Sequence, residues 1–189
     1  MQVQEHAKIE GLITATIFDM RDRYAQAIER EINALLLVPL HERSRATYLD
    51  LVGELKRSFT AREHQKTNLI ATAGRSALAQ RLANTTTYTG IINYGTLGTG
   101  TNAPANGDTQ LQTEVFRKVT ASTSYTTNVA FIDFFYSKSD TNGTYQEFGT
   151  VIDGTGSANT GQLFTRALTG GWTKTSSESM TVSAQYTIS

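Results

Sequence analysis

The residues with types and spacing suited to chemistry begin with a glycine-rich segment, Gly95–Ala103, which contains the pattern Gly-x-Gly-x-x-Ala. In dinucleotide-binding folds, this pattern opens a helix whose N-terminus meets a pyrophosphate. Here Pro104 and the turn pair Asn106-Gly107 follow the segment, and no strand-helix-strand pattern surrounds it. We therefore expect residues 95–110 to form one ordered structural loop, and we expect no cofactor.

Two aspartate-containing segments, Asp140–Gly143 and Asp153–Gly156, resemble fragments of calcium-binding loops. Neither is followed by the bidentate acidic residue that an EF-hand uses. Aspartate and asparagine are also common in turns, because their side chains accept hydrogen bonds from nearby backbone groups. The segments favour turns, and we expect no metal site.

Aromatic side chains could form a platform on which a sugar ring stacks. The strand-like run from Phe131 to Tyr136 is apolar on both faces, which is typical of a central strand or of one covered by a partner subunit. No paired carboxylates and no Ser/His/Asp set can be assembled, so we predict that the chain is not an enzyme. The aromatic residues are Phe131, Phe134, Phe135, Tyr136, Tyr145, Phe148 and Trp172.

The composition argues against several classes of partner. The 17 basic and 17 acidic residues cancel, so no long-range field attracts the chain to nucleic acid or to an anionic membrane. The longest apolar run, residues 34–40, is too short to cross a bilayer. There is no cysteine, which excludes disulfides and thiolate chemistry.

The elements that must position these residues differ between the two parts of the chain. Residues 1–84 are charged and are predicted to hold an N-terminal strand (8–18), an αα-hairpin (20–56), a second strand (57–66) and a short helix (71–83). Ser44 is a plausible N-cap for the second helix of the hairpin.

Residues 85–189 are rich in threonine and glycine, and short strands alternate there with turn signals such as Asn142-Gly143 and Gly170-Gly171. The last strand, 180–189, alternates strictly between apolar and uncharged polar residues. The predicted fold is α+β and mainly β, an antiparallel sandwich or barrel. The helical hairpin is predicted to be inserted between the strands 8–18 and 57–66, which would share a sheet with the strands of residues 85–189. The other predicted strands are 88–97, 114–125, 129–137, 144–152 and 162–168.

A series of residues over about 60–189 resembles the small β-rich structural proteins encoded among the virion genes of tailed bacteriophages. The helical hairpin departs from the pattern of that family, in which a short β connection is expected. The series consists of Asn68–Ile70, Gly74-Arg75, Leu78-Ala79, Leu82-Ala83, Tyr94–Thr101, Pro104, Gly107–Thr109, Leu111, Thr113–Arg117, Gly143-Thr144, Glu147–Gly149, Leu163-Phe164 and Trp172–Ser177.

The resemblance implies a non-enzymatic part of a virion, made in the bacterial host cytoplasm and then assembled on the particle as a capsid decoration protein or at the neck or tail. Its partners would be major capsid, neck or tail proteins and further copies of itself, for example in a trimer. The alternative is a carbohydrate-binding tail-fibre module that touches the host surface. The candidate interface residues are Tyr24, Ile28, Leu35, Leu36, Phe131, Phe135 and Trp172.

Overall fold

The computed structural model describes residues 8–85 and 87–189. Residues 1–7 of the predicted N-terminal segment lie outside this range. Within the described residues there are three helices and nine strands, so the chain is mainly β as predicted. The helices are α1 (Arg23–Leu36), α2 (Arg45–Phe59) and α3 (Thr72–Leu82). The strands are β1 (Ile9–Asp19), β2 (Thr60–Ile70), β3 (Ile92–Gly98), β4 (Glu114–Val119), β5 (Ser122–Thr126), β6 (Val129–Tyr136), β7 (Gly143–Ile152), β8 (Gln162–Lys174) and β9 (Glu178–Ile188).

All the described strands belong to one antiparallel sheet in the order β4-β3-β7-β8-β2-β1-β9-β6-β5. The sheet curls into a half-barrel, and the predicted sandwich of two stacked sheets is not confirmed. Strands β3 and β6 lie far apart in this order, yet they face each other across the curl. A Cβ atom added to Gly95 of β3 would lie 2.6 Å from the ring of Phe134 in β6.

The main core fills the inside of the curl. Ile13, Ala15 and Ile17 of β1 point inward, as their alternation predicted, and pack with apolar residues from β3, β6, β7, β8 and β9. The predicted final strand is confirmed as β9, which is bonded to β1 on one side and to β6 on the other. Its residues Val182 and Tyr186 are buried in this core.

Helices α1 and α2 follow β1 in the chain and pack on the outer side of the sheet. The Asp22 side chain accepts hydrogen bonds from the first turn of α1, and Ser44 caps α2 as predicted. A second apolar cluster joins the two helices to Phe18 of β1 and Phe135 of β6. The Arg43 guanidinium, in the turn between the helices, donates to the backbone oxygens of Leu36, Val38, Thr120 and Ala121, so the turn is fastened to the sheet.

Several predicted elements differ from the structure. The strand predicted over 57–66 begins only at Thr60, because α2 continues to Phe59, and the loop predicted over 95–110 begins only after Gly98, where β3 ends. The strand predicted over 114–125 is interrupted at Thr120-Ala121, where the chain leaves β4 at one end of the sheet and enters β5 at the other end. The strand predicted to end at Leu168 continues to Lys174, because Gly170 and Gly171 take φ values of 77° and 94° inside β8 and do not reverse the chain.

No helix among the described residues is long and apolar enough to span a membrane.

Candidate interaction surface

Three of the seven candidate interface residues are in the core. Ile28, Phe135 and Trp172 are at most 2% exposed, so the folded chain leaves their side chains no surface for a partner. Trp172 packs inside the curl, where its ring centroid lies 5.9 Å from that of Phe148. It therefore cannot form the exposed sugar platform considered above. These three expectations are corrected by the burial of the side chains.

The other helical candidates lie on the outside of α1. Tyr24 is 55% exposed, its hydroxyl donates to the Glu54 carboxylate of α2, and its ring lies 6.3 Å from that of Phe59. Leu35 and Leu36 are half-buried against the apolar cluster between the helices and the sheet. Within α1, Tyr24 is therefore the candidate with the most surface free for contact.

Phe131 is half-buried and lies on the outer side of the sheet, next to the area that α1 and α2 cover. The register places it in a row that crosses five strands: Ser124 of β5, Phe131 of β6, Gln185 of β9, Leu12 of β1 and Thr67 of β2. We call this row, together with Thr14 and Thr187 on the same face, the outer sheet face. Its members are half-buried or exposed, and none carries a charge. Two exposed carboxylates, Glu10 of β1 and Glu63 of β2, lie beside them on the same side of the sheet.

An open groove of about 720 Å³ lies at one end of the outer sheet face. Amide and hydroxyl side chains line much of it, including those of Thr67, Gln185 and Thr187. The Arg75 side chain of α3, the start of β1 with its charged residue Glu10, and Lys8 border the groove. Its lining can donate and accept hydrogen bonds, which an apolar groove cannot do.

Asp108, Glu147 and Arg166 form a buried ionic cluster that the sequence analysis did not predict. Glu147 is fully buried and accepts hydrogen bonds from the Gly100, Gln112 and Thr113 backbone N–H groups at 2.8–3.0 Å and from Arg166 Nε at 2.7 Å. Arg166 also donates to Asp108 at 2.8 Å and to the Asn102 backbone oxygen at 3.0 Å. The sequence signal is one charged residue in the interior of each of two neighbouring strands, Glu147 in β7 and Arg166 in β8.

This cluster fastens the loop 99–113 to the sheet. Both Glu147 oxygens are occupied by donors, and the described cavities are not lined by Glu147 or Arg166. Added Cβ atoms at Gly98 and Gly100 would lie 2.5 Å from Glu147 Oε1. The glycines of the dinucleotide-like pattern are therefore needed because a side chain at either position would collide with the Glu147 carboxylate.

The electrostatics of the cluster agree with mutual compensation. Burial acts to raise the pKa of Asp108, but hydrogen bonds from the Ala105 N–H and from Arg166 outweigh it, and the pKa is lowered. Burial likewise acts to lower the pKa of Arg166, and the bonds to Asp108 and Glu147 reverse that effect. Both groups are therefore held in their charged forms.

The calcium-like segments make turn contacts. The Asp140 carboxylate accepts from the Ser137 N–H at 2.8 Å and pairs with Lys118 Nζ at 2.7 Å, and Asp153 accepts from Thr89. Across residues 8–85 and 87–189 no group of three or more His, Asp or Glu residues is placed to hold a metal ion.

Comparisons with protein-family models, curated protein sequences and solved structures give no match for this chain.

Proposed function

We propose that this chain is a non-enzymatic structural component of a tailed-bacteriophage virion, an accessory protein that assembles on the particle. Its place would be on the capsid surface as a decoration protein, or at the neck or tail. The partners would be the major capsid, neck or tail proteins and further copies of the chain, for example in a trimer, with no role for nucleic acid or membrane.

The observation that carries the proposal is the outer sheet face. A row that crosses five strands presents Phe131 and Leu12 among uncharged serine, threonine and glutamine side chains. Burying charged groups in an interface is unfavourable unless they are paired, whereas hydroxyl and amide groups can bond across a wet contact. An aromatic anchor with a polar, uncharged surround is typical of protein–protein contact surfaces.

The fastened loop adds a second support. Many residues of the phage-like series meet there, including Gly98, Gly100, Asp108, Leu111 and Glu147. The buried ionic cluster holds the loop against the sheet, while the tip at residues 101–107 is mostly exposed. A loop fixed in this way presents its tip without a large entropic penalty on binding.

In this proposal the two sides of the curled sheet act together as a sandwich, and α1 and α2 act as a hairpin inserted between β1 and β2. The turn between the helices would be the part that reaches a specific neighbour on the particle. Leu37 in this turn is 87% exposed, and Leu40 next to it borders a largely apolar groove of about 600 Å³. Exposed apolar side chains beside an apolar groove are common at contact surfaces.

The proposal is tested with intact particles and with the purified chain. We expect antibodies against the chain to label virions in immunogold electron microscopy. We expect Phe131→Lys to weaken self-association or particle binding at least about tenfold, because it places an unpaired charge in the contact. Val115→Lys is the matched control, since Val115 is a 48% exposed apolar strand residue of β4 outside the outer sheet face.

Thermal melts of both variants separate a binding defect from misfolding. A folded Phe131→Lys variant that assembles like the parent chain would refute the role of the outer sheet face. Particles that carry none of the chain would refute the virion proposal as a whole.

The carbohydrate-binding tail-fibre module is the second candidate, and the polar groove favours it, since hydroxyl and amide side chains suit sugar hydroxyls. Glycan-array binding that is lost in a folded Gln185→Ala variant would support this candidate. Trp172→Ala is unsuitable for the purpose, because it would remove a core side chain.

A further inference from the structure

Lys174, near the end of β8, is a buried cation with no carboxylate in contact. The residue is 1% exposed, and its Nζ donates to Asn142 Oδ1 at 2.8 Å and to the Thr141 backbone oxygen at 3.4 Å. An ammonium group can only donate, so both partners are neutral oxygens. Among the described residues no acidic side chain forms an ion pair with it.

The acids nearest to Lys174 are engaged elsewhere. Asp140 pairs with Lys118, Glu178 pairs with Arg62, and Glu29 accepts from the Lys138 N–H at 2.6 Å. Burial lowers the pKa of Lys174 to about 8, and the more distant charges of Asp140, Glu29 and Glu178 offset only part of this shift. The charged form of Lys174 is therefore destabilised by the fold.

The amide that Lys174 contacts belongs to an Asn-Gly pair. Asn142 is exposed and is followed by Gly143, the first residue of β7. Because glycine has no side chain, its backbone nitrogen can approach the preceding amide carbon with less hindrance than in other residues. The Lys174 ammonium, bonded to Oδ1, would also stabilise negative charge that develops on this oxygen during attack.

We propose that Asn142 is a self-modifying site, at which spontaneous deamidation creates the carboxylate counter-ion that Lys174 lacks. The Gly143 nitrogen bonds to the Asn142 Cγ and loses its proton, and the side-chain nitrogen leaves as ammonia. Water then opens the cyclic imide, which gives aspartate or isoaspartate at position 142. Aspartate carries a carboxylate at the position where Lys174 contacts the amide oxygen. Isoaspartate instead adds a methylene to the backbone before Gly143, so aspartate is the product that supplies the counter-ion.

The chain contains an internal comparison at Asn106-Gly107. Asn106 is also exposed, and its Oδ1 accepts from Arg75 Nη2 at 3.2 Å. Arg75, however, is itself exposed, so water already solvates its charge. Deamidation at Asn106 would therefore add little stability, whereas deamidation at Asn142 would give a buried cation its partner.

The full-length chain is incubated at neutral pH and sampled over days by peptide mass mapping. We expect Asn142 to gain the mass of an amide-to-acid conversion several-fold faster than Asn106, because water screens the buried Lys174 charge at the Asn142 Oδ1 less than the exposed Arg75 charge at the Asn106 Oδ1. Asn142→Gln should show no conversion at position 142, because glutamine forms the corresponding ring much more slowly.

Stability is measured in parallel on fresh protein. Asn142→Asp should raise the melting temperature by about 2–4 °C, the shift that corresponds to one charge-assisted contact in a chain of this size. Asn106→Asp should change it by less than about 1 °C. The inference is overturned if Asn142 remains an amide while Asn106 converts, or if Asn142→Asp fails to raise the melting temperature. A cross-linked peptide joining Lys174 to residue 142 would overturn it too, since Lys174 would then be the nucleophile.

Discussion

At the scale of single residues, the contrast between Glu147 and Trp172 shows what one-dimensional patterns cannot reveal. Trp172 was a candidate for contact with a partner, yet it is buried in the core. Glutamate is usually found on protein surfaces, yet Glu147 is fully buried among backbone donors and Arg166. Both outcomes depend on which strand and which loop cover a given face. This information lies in pairings between residues far apart in sequence.

The buried ionic cluster leads to a prediction for Glu147→Gln. The variant would leave Arg166 with one carboxylate partner fewer and would turn an amide N–H toward backbone donors. We expect the free energy of unfolding to fall by about 3–5 kcal/mol, as when one partner of a buried ion pair is removed. Urea titration of the purified chain measures this change.

Glu63→Gln is the control for that experiment. Glu63 is exposed on β2 and accepts one hydrogen bond from Thr16, so its replacement should alter the stability by about 1 kcal/mol or less. An equal decrease in the free energy of unfolding of the two variants would show that the buried Glu147 contributes no more to stability than an exposed glutamate.

At the scale of elements, alternation and capping identified much of the secondary structure. The inward residues of β1 and β9 and the cap at Ser44 follow from side-chain geometry within a few residues, so a local pattern is sufficient. The break at Thr120-Ala121 could not be found in this way. No proline or glycine marks it, and the change of sheet edge depends on Asn93 and Asp133, whose backbone oxygens bond to the two residues.

The packing of α3 on the sheet leads to a prediction for two helical glycines. A Cβ atom at Gly74 would lie 2.7 Å from the Phe164 Cα, a backbone atom that cannot turn aside. Gly74→Ala should therefore push α3 away from β8 and lower the free energy of unfolding by about 1–3 kcal/mol.

Gly53 of α2 is the matched position, since the nearest atom to its added Cβ is the flexible end of Arg57 at 3.4 Å. Gly53→Ala should raise the free energy of unfolding by about 0.5–1 kcal/mol through helix propensity. Chemical denaturation of the pair compares the two effects directly. A stabilising Gly74→Ala would contradict the close approach of α3.

At the scale of the whole molecule, the composition of the chain changes near residue 84 but the sheet does not divide there. Strand β1 from the charged part pairs with β9 over eleven residues, and β2 pairs with β8 at Leu69 and Ile70. The change in composition predicts two separate parts, but strands from both parts pair with each other and share one hydrophobic core.

We therefore expect residues 1–84 and residues 85–189 to be unable to fold when they are expressed separately. Neither fragment should show a cooperative thermal transition by circular dichroism, and the full-length chain should show a single one. Mixing the fragments should restore part of the signal. A sharp transition in fragment 85–189 alone would contradict the shared core.

The position of β9 has a consequence for biosynthesis. This strand follows the other described strands in the chain, but it lies inside the sheet, between β1 and β6. While a ribosome is still adding residues 178–188, both of those neighbours have open edges that can pair with other nascent chains. The large sequence separation between β1 and β9 slows the search for their native pairing, so a nascent chain stays vulnerable to aggregation until β9 is available to pair.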